Sequence, residues 1–229
     1  MSQVTRLIVC QTEVMSAQTS SYHQRVAEQK RTAIVGAATT LFLQSGYDRT
    51  SLAKVADLAG VSKATLFKQF PTKAALFEAI VAESWNTDGT TEIHPAPGDL
   101  EEGLTSIGHG YVELLNRPGM TDLFRIVIAE VPRFPELGQT QFDLGKMPYF
   151  DSVRRYLDAE REAGTAELDD AELAATQFLG MISNYVFWPR LLLVHWSPED
   201  DAVAHVVHEA VAMMMSRYGR GTTPDSRAR

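Results

Sequence analysis

The chain has 229 residues, 45% of them apolar, with a single cysteine and a formal net charge of −8. This length and apolar content support one large domain or two small ones and exclude a disordered chain, while the lone Cys10 excludes an internal disulfide framework and a cysteine-rich zinc site and fits a reducing cytoplasm. The charge is unevenly spread: residues 22–73 hold eight Lys/Arg against three Asp/Glu, and residues 74–229 hold twelve against twenty-five, so a basic segment able to meet DNA precedes an acidic one that is not.

Residues 1–21 are rich in Ser, Thr and Gln without a sustained period and are expected to form a flexible N-terminal arm, within which Met15 is an alternative start. The apolar run from Leu7 to Cys10 is too short for a secretory signal. From Gln24 the pattern becomes helical: Ile34, Ala37, Ala38, Leu41 and Phe42 share one face, and Gly46 supplies a stop. Thr50 or Ser51 caps a short second helix with Leu52, Val55, Ala56 and Ala59 on its inner face, ended by Gly60. Ser62 caps a third helix, which must stop before Pro71 because proline disfavours a helical residue ahead of it. Thr72 caps a fourth, with Leu76, Phe77, Ile80, Val81 and Trp85 inward.

Residues 86–98, rich in Thr, Pro and Gly, read as a loop between units. Further helices are expected over about 99–116, 119–131, 135–163, 169–195 and 199–217, with Pro148 and Pro189 each kinking or dividing its helix. The longest apolar stretch, 178–196, is interrupted by Ser183, Asn184, Pro189, Arg190 and His195, and so reads as a buried helix rather than a membrane span. No strand alternation or internal repeat occurs, and the expected fold class is all-α.

Residues 51–70 meet the demands of a helix-turn-helix: two short helices, a tight turn and a polar second helix. Leu52, Val55, Ala56, Val61, Leu66 and Phe70 can form its internal core, leaving Lys63, Ala64, Thr65, Lys68 and Gln69 on the surface of the third helix. Small Ala64 permits close approach, Gln69 can bond adenine, and Lys63 or Lys68 can bond guanine or phosphate. By spacing alone the segment is either such a reading head or a plain helical hairpin with a polar face.

The run IVGAATTLFLQSGYDRTSLAKVADLAGVSKATLFKQFPTK at 34–73 closely resembles the N-terminal DNA-binding domain of TetR-family regulators, and the resemblance covers about 28–88. It implies a three-helix helix-turn-helix head over 22–88 and double-stranded operator DNA as partner. Phe67 occupies the family's usual tyrosine position, without the hydroxyl, and Gln69 stands where histidine or tyrosine is common. Lys73 matches a phosphate-contacting lysine, whose removal would flatten the salt dependence of binding. Thr50, Ser51, Ser62, Lys63 and Thr65 match other contacting positions.

A short reading helix touches few base pairs, so specific affinity usually requires two heads on a symmetric dimer. Val203, Val206, Val207, Ala210, Val211 and Met214 form a stripe on the last helix that can serve a partner copy or the core; by resemblance the last two helices pair with their copies in a four-helix bundle, making a homodimer. The run LFRIVIAEVPRFPEL at 123–137 resembles the C-terminal regulatory domain of the AcrR/AefR-like subgroup. This implies a ligand-binding and dimerisation domain over 99–218, a flexible tail over 219–229, and a repressor released from its operator by a small-molecule effector. Tyr111, Phe124, Ile128, Met181, Tyr185 and Trp188 combine aromatic area with polar tips and are candidate effector contacts, each also compatible with ordinary core.

His205, His208 and Glu209, with His195, are spaced for a metal, but His-x-x-His on a surface helix is usually incidental, and neither metal nor cofactor is expected. No catalytic or phosphate-loop motif occurs, which argues against an enzyme. A non-specific DNA coat would need more positive charge.

Overall fold

The computed structural model describes residues 3–86 and 95–220, with side chains from residue 24 onward. Of the expected loop at 86–98 and tail at 219–229, residues 87–94 and 221–229 lie outside the described residues. The chain divides into two compact units, Met1–Ile80 and Val81–Arg229. Among the described residues the regular structure is helical, with one isolated β-bridge and no strand, and none of the helices is long and apolar enough to cross a membrane.

In the first unit, α1 spans Gln3–Arg49, α2 Leu52–Leu58 and α3 Lys63–Gln69, followed by α4 at Lys73–Trp85, whose end falls in the second unit. The backbone of 3–21 continues α1, where an irregular arm is expected; residues 1–35 contain neither proline nor glycine, so nothing there stops a helix. Gly46 does interrupt it, at φ 79° and ψ 160°, a conformation costly for any residue with a Cβ. The chain then turns so that Tyr47 packs between Phe42 and Phe77, at ring distances of 5.1 and 6.1 Å. Ile34, Ala38, Val55, Ala56, Leu66, Phe70 and Leu76 complete this core.

The second unit contains α5 (Leu100–Leu115), α6 (Met120–Glu130), α7 (Pro135–Thr140), a π-helical stretch (Gln141–Lys146), α8 (Met147–Ala163), α9 (Ala171–Val186), α10 (Trp188–Leu192) and α11 (Asp200–Tyr218). Helix α9 packs against α5, α8 and α11 and is the centre of this unit. Gly108 permits the close approach of α5, since a Cβ there would lie 2.8 Å from Val207 Cγ1.

The two interior prolines act differently. Pro148 cannot donate to the carbonyl one turn back, and the helix just before it widens so that the Met147 N–H bonds the Phe142 carbonyl five residues earlier. Pro189 divides its helix at Phe187, and helix ends at Leu192. The expected buried helix over 178–196 is therefore buried only in part: Tyr185, Trp188, Leu192, Leu193 and Val194 are exposed. The carbonyls at the end of α10 are satisfied by Arg125, which donates to Arg190 O at 2.7 Å and Leu191 O at 3.3 Å.

The buried carboxylate of Glu160 accepts hydrogen bonds from the Tyr156 and Thr165 hydroxyls and, at 3.0 Å, from the Gly98 N–H, fastening the segment ahead of α5 onto α8. Gly219 and Arg220, placed by sequence in a flexible tail, pair instead with the 165–167 backbone. On the α11 stripe, Val207, Ala210, Val211 and Met214 are buried within the chain itself, and Val203 and Val206 are half-buried. A periodicity of apolar residues marks a covered face without saying which chain covers it.

Candidate functional site

The polar face of the first unit is built around α3. Its cap, Ser62, accepts the Thr65 N–H at 3.1 Å and lies 2.8 Å from the Thr65 hydroxyl, so the first turn is fixed although the helix has only seven residues. Leu66 and Phe70 anchor the inner face, with the Arg31 guanidinium 4.9 Å above the Phe70 ring. Lys63, Ala64, Phe67 and Lys68 consequently point outward, and Thr65 is half-buried at their edge. Phe67 exposes 48% of its surface, a large apolar ring on an otherwise basic face. Ser51 caps α2 through the Lys54 N–H at 3.3 Å and is exposed.

Three expected DNA contacts are engaged inside the unit. Thr50 is 3% exposed, and its hydroxyl donates to the carbonyls of Gly46 at 2.9 Å and Leu41 at 3.1 Å, satisfying the end of α1. Gln69 is half-buried and reaches back to the Ala27 carbonyl at 3.5 Å. Lys73 donates to the carbonyls of Tyr47 at 2.6 Å and Asp48 at 3.0 Å, with its ammonium 4.4 Å from the Tyr47 ring centre. A cation at a helix C-terminus neutralises carbonyls that have no intrahelical donor.

The interior of the second unit is aromatic. Tyr111 and Tyr149 stack at 5.2 Å, with Phe150 edge-on to Tyr111 at 6.4 Å. Burial pushes the Tyr111 phenol up to about 12 against the pull of a hydrogen bond with Ser183. Burial and the neighbouring Tyr111 also raise Tyr149, so both phenols stay neutral at physiological pH. A second cluster joins Trp85, Phe124 and Phe187, with ring distances of 6.2 and 4.9 Å.

Of the six sequence-derived effector candidates, Tyr111 is buried, and Phe124 and Met181 are half-buried. Ile128, Tyr185 and Trp188 are exposed on this chain and do not line its interior. What sequence reading missed is buried polarity: both amide atoms of Gln141, Trp85 Nε1 and Thr121 Oγ1 have no hydrogen-bond partner among the described residues. A buried group left unpaired costs about 1–3 kcal/mol, so each of these atoms calls for a partner from outside the described chain, such as a water or a ligand. Pro148 was the available signal, because it predicts an irregular turn immediately after Gln141.

His195, His205, His208 and Glu209 are not buried, and no group of three His, Cys, Asp or Glu side chains gathers to hold a metal among the described residues.

Comparison with known proteins places these features. The family described as bacterial regulatory proteins, tetR family, matches residues 34–80, and the AefR-like transcriptional repressor C-terminal domain matches residues 102–220. The chain belongs to the TetR family. This TetR-family regulator is 31% identical over 179 residues to YvkB, a helix-turn-helix-type transcriptional regulator of Bacillus subtilis (strain 168), covering 75% of this chain and 90% of that one. Its fold is similar to that of a TetR-family transcriptional regulator from Mesorhizobium loti MAFF303099, with a TM-score of 0.72, 25% identity, and coverage of 85% of this chain and 98% of the other. It is also similar to the flavonoid-responsive regulator FrrA, with a TM-score of 0.68, 26% identity, and coverage of 88% and 100%. The protein is thus a helix-turn-helix transcriptional regulator, and the family to which it belongs binds operator DNA.

Proposed function

We propose that the protein is a homodimeric repressor that reads its operator with α3 and leaves it when a small molecule binds the second unit. The observation that carries this reading is the outward face of α3, where Lys63, Ala64, Phe67 and Lys68 stand exposed on a helix pinned by Ser62 and Phe70. Lys63 and Lys68 supply phosphate or guanine contacts, Ala64 offers apolar surface to a thymine methyl group, and the Phe67 ring lies against the DNA backbone. Ser51, Ser62 and Thr65 lie at the edge of this face and serve the backbone. Thr50, Gln69 and Lys73 act from behind by holding α1, α3 and α4 together.

For the dimer, the exposed apolar residues of the second unit take the role that periodicity alone suggests for the α11 stripe. Leu173 and Tyr185 on α9, Met213 on α11, and the Leu192–Leu193–Val194 segment would otherwise leave a large apolar area in water. A second copy meeting them presents two heads to successive major grooves. The aromatic interior around Tyr111 and Phe124 suits a small effector, and FrrA, a regulator of similar fold, is flavonoid-responsive. Binding helps release only if it favours a conformer with lower DNA affinity.

A genomic binding-site selection followed by footprinting tests the reading. The expected result is protection of one palindrome, with little competition from random DNA. Uniform coating of unrelated fragments would contradict it.

A further inference from the structure

Gln141 is 5% exposed and Trp85 7%, yet the Gln141 amide nitrogen and oxygen and the Trp85 indole nitrogen are buried without a hydrogen-bond partner among the described residues. They belong to one place. Gly145 lies against the indole so closely that a Cβ there would sit 2.5 Å from Nε1, and Gln141 stands one wide turn earlier on the same buried face of the π-helical stretch. Phe124 and Phe187 extend the wall from the indole, and Thr121, one turn before Phe124, adds a second buried oxygen without a partner among the described residues. Wide helical turns of this kind recur at functional positions.

The unpaired atoms define a complement. The indole N–H only donates, whereas the amide donates from one atom and accepts at the other. A matching ligand therefore presents a carbonyl-type acceptor and a hydroxyl donor on an apolar, ring-shaped body. No Lys or Arg is buried among the described residues, while Glu130 is. Arg117 and Lys146, half-buried beside this stretch, are already engaged by the Asn86 carbonyl and by the Phe142 and Phe150 rings, so an anionic ligand would lose its hydration without gaining a free counter-charge.

We propose that Trp85 and Gln141 recognise a neutral aromatic hydroxyketone, which excludes carboxylate effectors from this site. This rests on the effector reading above and specifies its chemistry.

The test uses the full-length protein and three matched probes: benzophenone, para-hydroxybenzophenone and para-benzoylbenzoate, at mildly acidic pH where the phenol is neutral and the acid ionised. Titration calorimetry and quenching of tryptophan fluorescence report binding, and fluorescence anisotropy of the selected operator reports release. The hydroxyketone should bind about tenfold tighter than the acid and tighter than the unsubstituted ketone. Gln141→Leu should weaken hydroxyketone binding about tenfold while raising the melting temperature of the ligand-free protein, because an unpaired buried amide is removed. Trp85→Phe, which keeps the ring packing, should weaken it by a smaller factor. Tighter binding of the acid, equal binding to wild type and Gln141→Leu, or no binding of the neutral probes would overturn the proposal. Binding as expected without release of DNA would uphold the chemistry of the site and refute the effector reading.

Discussion

Phe67 shows how one missing atom shapes a DNA contact. It is exposed on α3 at the position where a tyrosine is usual in similar heads, so the ring is placed while the hydroxyl is absent. Phe67→Tyr should tighten binding to operator and unrelated DNA alike, by about two- to tenfold, since one hydrogen bond to phosphate is worth about 0.5–1.5 kcal/mol and carries no sequence information. Anisotropy titrations on both DNAs would check this; a gain confined to the operator would instead mean that the ring reads a base. Lys73 illustrates the opposite case. Sequence places it among the phosphate contacts, but its ammonium bonds the Tyr47 and Asp48 carbonyls. Lys73→Met should lower the stability of the first unit by about 1 kcal/mol and leave the salt dependence of DNA binding unchanged. Lys68→Ala should do the reverse, reducing the slope of log affinity against log salt by about 0.9 for each phosphate the side chain no longer reaches. Residue identity in a motif reveals which atoms are present; whether a side chain turns outward depends on neighbours distant in sequence, as Tyr47 and Lys73, 26 positions apart, illustrate.

The helices were legible because their signals are local. Ser51, Ser62, Asp99 and Asp170 each accept a backbone N–H at the start of a helix, and the inner faces of α2, α3 and α4 follow the apolar spacing. Loss of the cap should therefore be felt at the level of the element. Ser62→Ala removes the Thr65 bond and is expected to cost about 1 kcal/mol, measurable as faster hydrogen exchange across α3, whereas Ser62→Thr should preserve protection. Less legible was anything set by the packing of one helix on another. The α11 stripe could have faced a partner or its own chain, and the deciding observation is Val207 against Gly108 on α5. Gly108→Ala would gain helix propensity but force a methyl into that contact, and a net loss of about 1–3 kcal/mol is expected from thermal unfolding of the second unit. Gln141 was illegible for a related reason: a glutamine within a helix ordinarily lies at the surface, and only the wide turn ahead of Pro148 carries it inward.

At the level of the whole molecule, the proposed reading requires a second copy, and the exposed Leu192, Leu193 and Val194 provide a direct test of it. Leu192 is 84% exposed, so a charge in this segment should be tolerated by the isolated chain. Leu193→Glu is expected to shift the protein from dimer to monomer in sedimentation velocity while preserving its helical circular dichroism, with a loss of operator affinity on the order of a hundredfold when two heads no longer bind together. An unchanged sedimentation coefficient would direct attention to Leu173 and Met213 instead. The division into two compact units has a further consequence when set beside the π-helical stretch at Gln141–Lys146. Deleting one residue from a wide turn returns the helix to ordinary pitch and rotates everything before it by about 100°. Gln141 would leave the interior and another side chain would enter, without any change among the residues of α3. Descendants of such a sequence could thus acquire a response to a different chemical signal through a single in-frame deletion while continuing to govern the same genes.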